Sequence, residues 1–169
     1  HLSKPITTAD IEEAEQVITA HGLPFNRSGW ERLVEKHGGY LPIRIQAVPE
    51  GSIVPVSNVV CQIINTDPEF YWLPSYLETS LLRAIWYPST VSSLSYYCKN
   101  VIKAALDKSA DSQAGLPFKL HDFGARGASS LESVALGSFA HLVNFSGTDS
   151  ITALVSASRW YGMDQEMPA

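Results

Sequence analysis

The 169-residue chain is 45% hydrophobic with mean hydropathy near zero, enough apolar side chain for a buried core without disulfide or metal support. Its 17 acidic and 12 basic residues leave a formal charge of −5; with no Lys/Arg cluster, that balance argues against nucleic acid or an anionic membrane as partner. No segment is apolar for long enough to cross a bilayer and no secretory signal pattern is visible, so the expected location is the cytoplasm.

Thr7-Thr8 precede a stretch in which Ile11, Ala14, Val17 and Ile18 recur at helical spacing, with acids in the first turn and Gly22 as the stop. Ser28-Gly29-Trp30-Glu31 has capping-box spacing and predicts a short helix through Leu33 and Val34, ended by Gly38-Gly39. The period then changes. Ile43, Ile45 and Ala47 alternate with Arg44 and Gln46, as in a half-buried strand. Glu50-Gly51 reads as a turn, and residues 52–56 and 59–64 as two further strands of an antiparallel block. Asn65-Thr66-Asp67-Pro68 breaks that block, because a residue before proline is pushed out of the helical region.

Pro74 fits the first turn of a helix running through Leu77, Leu81 and Ala84 to Trp86. Pro88 is expected to interrupt it. Ser89 then caps a second helix with Val91, Leu94, Cys98, Ile102, Ala105 and Leu106 on one face. Cys61 and Cys98 match no metal spacing and are expected to be buried, reduced thiols. The polar residues 107–116, DKSADSQAGL, mark the best boundary.

Beyond it the order becomes strand, loop, helix. Residues 118–123 are expected as a strand, Ser129-Ser130-Leu131-Glu132 as a capping box, and Leu131, Val134, Ala135 and Phe139 as a helix face. Residues 141–145 read as a second strand, Gly147-Thr148-Asp149 as a loop, and residues 150–161 as a helix. The fold class is therefore α/β. Residues 1–116 hold helices, an antiparallel β portion and two connecting helices, and residues 117–169 hold the first βα units of a parallel sheet or barrel.

In such βα arrangements ligands sit at the carboxyl ends of the strands, where the loops 124–127 and 146–149 fall. Phe123 ends the first strand, so its ring either enters the core or stacks on a flat heteroaromatic ligand. Arg126, between two glycines, is either a solvated loop residue or a bidentate anion contact. Asp149 is either a helix N-cap or a ligand contact. His121 and His141 have no partner at metal-ligand spacing, and no metal site is expected; each reads as a satisfied core histidine. The Asp-Phe-Gly triplet at 122–124 suggests a protein kinase, but the chain has no Gly-rich phosphate loop, no Val-Ala-Ile-Lys strand and no His-Arg-Asp loop.

Residues 119–124, KLHDFG, followed by Arg126-Gly127, Ser129-Ser130, His141-Leu142-Val143-Asn144-Phe145 and Gly147-Thr148-Asp149, resemble nicotinamide phosphoribosyltransferases. The likeness extends back through Glu78-Thr79, Trp86-Tyr87-Pro88, Asn65-Thr66-Asp67-Pro68, Ala47-Val48-Pro49-Glu50-Gly51 and Leu41-Pro42-Ile43. It implies transfer of phosphoribosyl from 5-phosphoribosyl 1-pyrophosphate to nicotinamide, giving nicotinamide mononucleotide and pyrophosphate in NAD salvage. It also implies an antiparallel β domain beside an irregular α/β barrel, and a homodimer with sites at the interface. Mg²⁺ would arrive with 5-phosphoribosyl 1-pyrophosphate, and ATP would act as an activator of the full-length family; neither has a binding motif in this chain.

By position, Phe123 would be one slice of an aromatic sandwich around the pyridine ring, Arg126 would sit beside the ring and the sugar phosphate, and Asp149 would accept a hydrogen bond from the carboxamide. Ala125 and Ser146 depart from the aromatic and the basic residue often found at these places in the family. The resemblance puts the partner-supplied aromatic before His1, and the phosphorylated histidine and the remaining catalytic residues after Ala169. The opening HLSKPITT and the ending DQEMPA accordingly lead to the expectation of an internal fragment with little or no transferase activity alone. The competing expectations are a nicotinate phosphoribosyltransferase relative and a non-catalytic fragment acting as a binding module.

Overall fold

A computed structural model describes residues 2–162 as a mixed α/β chain that divides into two compact units, residues 1–78 and 79–169. In the first unit, α1 (Thr8–Ala20) begins at a capping box. The Thr7 hydroxyl accepts from the Asp10 N–H, and the Asp10 carboxylate accepts from the Thr7 N–H at 2.8 Å. Helix α2 (Arg27–His37) starts two residues earlier than the Ser28 spacing predicts. Asn26 is the cap. Its side-chain oxygen takes the Gly29 N–H at 3.2 Å, and a Cβ on Gly29 would stand 2.3 Å from the Asn26 amide. Glu31, freed from capping, pairs with Arg27, which also meets Glu15 of α1.

Strand β1 (Ile43–Ala47) forms where its alternation predicts and pairs antiparallel with β2 (Cys61–Asn65), Ile43 opposite Asn65 and Ala47 opposite Cys61, but of its expected apolar face only Ile43 is even partly covered; Ile45 and Ala47 are exposed. Residues 52–56 do not form the expected strand. Pro55 has no N–H to give a ladder, Ser57 turns to φ 67°, and Val56 is 93% exposed, so the segment has neither partner nor face to bury. Leu33, Phe70 and Leu73 are fully buried, and Trp30, Leu41, Ile43 and Trp72 pack around them. The Trp30 and Trp72 rings meet edge to face at 4.8 Å, the geometry their quadrupoles favour. Asp67 secures this core from outside: the Lys36 ammonium and then the His37 ring, each at 2.8 Å, hold its carboxyl down to about 2.

Helix α3 spans Leu73–Ser109, with Pro74 in its first turn as expected. Pro88 does not end it. Proline forfeits one backbone hydrogen bond and crowds the preceding turn, a local cost of ~3 kcal/mol that packing along a long helix can absorb. The Thr90 hydroxyl bonds the Trp86 carbonyl at 2.8 Å beside it. The face α3 covers in the second unit is also displaced from the predicted one: Ser95 is buried and Leu94 is exposed. Both thiols are reduced and only partly covered rather than buried.

In the second unit a 3-10 turn, Leu116–Phe118, occupies the start of the expected strand 118–123. Only β3 (His121–Asp122) remains extended. Helix α4 (Leu131–His141) is capped by Ser130, whose hydroxyl accepts from the Ser133 N–H; Leu131 is exposed, while Val134, Ala135, Gly137 and Ser138 are covered. Gly137 lies so close to Tyr87 that a Cβ would come within 2.6 Å of the phenol oxygen.

The expected strand 141–145 is the end of α4 and a turn, and the strand is β4 (Gly147–Thr148). A short apolar run does not distinguish a buried strand from a helix end, and here the helix had turns in hand to continue. His141 is a satisfied core histidine, as expected: Nδ1 meets the Ser95 hydroxyl at 2.7 Å and Nε2 the Leu120 carbonyl at 3.1 Å. Strands β3 and β4 pair in parallel, as two successive βα units require, and α5 (Ile151–Tyr161) follows, packing Ala153 and Ala157 inward.

Because Leu33 is wholly enclosed, Leu33→Ala should lower unfolding stability by about 2–5 kcal/mol, whereas Val56→Ala should change it by less than about 0.5 kcal/mol. Urea unfolding of the two variants against the parent chain measures both.

Candidate functional site

The carboxyl ends of β3 and β4 bring the two polar loops together. The parallel register sets His121 beside Gly147 and Asp122 beside Thr148, and just past it the Asp149 N–H reaches the Asp122 carbonyl at 2.9 Å. Side chains alternate across a strand, so Asp122 and Thr148 share one side of the pair and His121 the other; beyond the strand ends the Ser150 hydroxyl joins the Asp122 side, while Phe123 and Asp149 meet His121. Burial follows this division: Thr148 and Ser150 are buried, while Phe123 and Asp149 are exposed.

On the covered side the Asp122 carboxylate is a common acceptor. Oδ1 receives the Gly124 N–H at 2.9 Å, and Oδ2 receives the Thr148 hydroxyl at 2.7 Å and the Ser150 hydroxyl at 2.9 Å. Burial pushes its carboxyl up, but the Ser138 and Thr148 hydroxyls, the Gly124 N–H and the Ser150 hydroxyl together outweigh this and hold it below the ordinary value. The Asp122 backbone carbonyl also accepts the Asp149 N–H at 2.9 Å. One residue thereby ties the first loop, the second strand and the start of α5.

On the open side His121 stands between the other two. Its Nε2 lies 2.9 Å from Asp149 Oδ1, and its ring packs tilted against Phe123 at 4.8 Å between centroids. Gly147 makes room for that ring, since a Cβ there would stand 2.3 Å from His121 Nδ1.

Of the residues singled out from sequence, Phe123 and Asp149 come together through His121. Phe123 is 59% exposed, so its ring does not fill the core. Asp149 is not the cap of α5, a position Ser150 holds. Arg126 lies in an exposed 3-10 turn, Gly124–Gly127, with no ion-pair partner among the described residues. His121, read along the chain as a core histidine, is exposed enough to join this site, while Asp122 carries no local signal of its role, and Thr148 and Ser150 read only as possible caps of the following helix. The signal was the two-residue alternation of His-Asp-Phe against Gly-Thr-Asp-Ser, legible only once the two segments are known to pair. Among the described residues no group of three His, Cys, Asp or Glu side chains could hold a metal ion, and no helix is long and apolar enough to cross a membrane.

The model described as the nicotinate phosphoribosyltransferase (NAPRTase) family matches residues 118–164, which contain this whole cluster, and that described as the nicotinamide phosphoribosyltransferase N-terminal domain matches residues 1–45. The chain is 53% identical over 161 residues, 95% of its length, to a nicotinamide phosphoribosyltransferase of Xanthomonas campestris pv. campestris. It is 37% identical over 123 residues, 73% of its length, to one of Acinetobacter baylyi, and 39% identical over 128 residues, 74% of its length, to one of Mycoplasma pneumoniae. It spans 34%, 24% and 28% of the lengths of those three relatives.

Replacing Asp122 by Asn leaves Thr148, Ser150 or the Gly124 N–H without its charged acceptor. Asp122→Asn should therefore cost about 1–3 kcal/mol at neutral pH in urea unfolding. A carboxyl held low in the folded state stabilises above its unfolded value and loses that contribution as pH falls through the folded one. The difference between parent and variant should accordingly shrink as pH is lowered through and below the ordinary carboxylate range; a constant difference would show that the carboxylate charge is not what stabilises.

Proposed function

Because this chain belongs to the nicotinamide phosphoribosyltransferase family, we propose that it supplies the nicotinamide-recognising part of an enzyme that transfers phosphoribosyl from 5-phosphoribosyl 1-pyrophosphate to nicotinamide, releasing nicotinamide mononucleotide and pyrophosphate. The observation that carries this reading is the pair at the strand ends: an exposed aromatic ring and an exposed carboxylate, Phe123 and Asp149, linked on one side of the sheet by His121. Phe123 stacks on the pyridine ring with its open face. Asp149 accepts from the carboxamide NH₂ through an oxygen not engaged by His121. Arg126, exposed and with no ion-pair partner among the described residues, meets the phosphate-bearing sugar.

The reaction needs a nucleophile with a free lone pair and a ribose centre that tolerates positive charge as pyrophosphate departs. Nicotinamide brings the first, the pyridine nitrogen, so the protein's task is to aim it. Mg²⁺ carried in on 5-phosphoribosyl 1-pyrophosphate would supply charge neutralisation to the departing pyrophosphate. A homodimer with the site at its interface and a cytoplasmic location complete the reading, both supported by the family and the second by the phosphorylated substrate.

Asp149 also decides between the two pyridine acids and amides. Nicotinate would set a carboxylate against a carboxylate and offer no N–H, losing a hydrogen bond worth roughly 1.5–3 kcal/mol before repulsion is counted. Nicotinamide is thus the substrate favoured over nicotinate. Asp149→Ser should reduce the preference for nicotinamide by at least about tenfold when binding of both ligands is compared by titration calorimetry. An unchanged preference would remove the carboxamide role.

A further inference from the structure

We propose that His121 is the positioning residue of this site, fixing Asp149 so that its second carboxylate oxygen, Oδ2, is presented to the ligand. The proposal rests on the reading of Asp149 as the carboxamide contact. An ionised carboxylate has no proton to give, so the 2.9 Å contact is His121 Nε2–H donating to Asp149 Oδ1. The Asp149 side chain is 62% exposed, and the torsion that sets a carboxylate plane is intrinsically broad. Left alone, it would sweep its two oxygens through many orientations. A charge-assisted bond at one oxygen removes that freedom, while the backbone is held by the Asp149 N–H to the Asp122 carbonyl at 2.9 Å.

His121 can serve as an anchor because it is itself confined. Its backbone is paired in β3, Nδ1 faces the glycine at 147 in a space no side chain could share, and the Phe123 ring closes on it at 4.8 Å. Attack by the pyridine nitrogen releases no proton, so a histidine here has no acid–base task in the transfer. Its single N–H is spent on orientation.

Two substitutions separate donation from shape. His121→Phe keeps a ring between Gly147 and Phe123 and removes the N–H, and His121→Gln keeps an N–H at about the reach of Nε2 from the backbone. In the whole chain, His121→Phe should weaken nicotinamide binding about tenfold and narrow its preference over nicotinate. His121→Gln should restore most of both, and His121→Phe should add nothing to Asp149→Ser. Equal losses in Phe and Gln variants, or a Phe loss that persists in Asp149→Ser, would overturn the proposal. Failure of the parent chain to bind nicotinamide would instead overturn the reading of Asp149 as the carboxamide contact, while binding indifferent to His121→Phe overturns this one alone.

Discussion

The Asp122 carboxylate is the constraint on which the second unit's polar edge depends. A half-covered charge is tolerated there because donors from the chain 124, 148 and 150 surround it, and those donors come from a loop, a strand and a helix cap. Satisfying the charge and assembling the two loops are therefore one event. A two-residue parallel pair is too short to be stable through its ladder alone, and the carboxylate supplies the cross-links that the ladder lacks.

The open side follows from the covered one. Once Asp122 and Thr148 point inward, strand alternation turns His121 outward, and Phe123 and Asp149 meet it there just past the strand ends. The protein thus exposes an aromatic ring and a carboxylate at one place without leaving either floppy, since the exposed groups are attached to residues whose neighbours are tied down. Gly147 completes the arrangement by a missing atom, giving the His121 ring the space a side chain would fill. In the first unit a comparable logic acts on the core: Asp67, bonded by Lys36 and His37, clamps the segment carrying Phe70 against α2, where Leu33 is buried.

Local chemistry was legible in the sequence wherever short-range forces decide. The acids of the first turn of α1, the stop at Gly38-Gly39 and the strand over Ile43–Ala47 all depend on neighbours within a few residues, and each appears as expected. The family was legible too, because KLHDFG and GTD stand in order with the right residues between them. Asn26 is the cap in place of Ser28: its carbonyl oxygen takes the Gly29 N–H, and glycine there leaves the space for its amide. Pro88 does not break α3, which runs on through it with the Thr90 hydroxyl bonded to the Trp86 carbonyl, and residues 141–145 become the end of α4 and a turn, because a short apolar run does not distinguish a strand from a helix end.

The α/β class and the family could be read along the chain, as could the presence of an aromatic, an arginine and an acid in loops near the strand ends. What only the tertiary structure decided was their relation. Residues 121 and 149 are 28 apart in the chain, and no local pattern states that a histidine will hydrogen-bond an aspartate at that separation. Parallel pairing of β3 with β4 brings them together, and the backbone register rather than any motif sets Asp122 with Thr148 on the covered side and His121 on the open one.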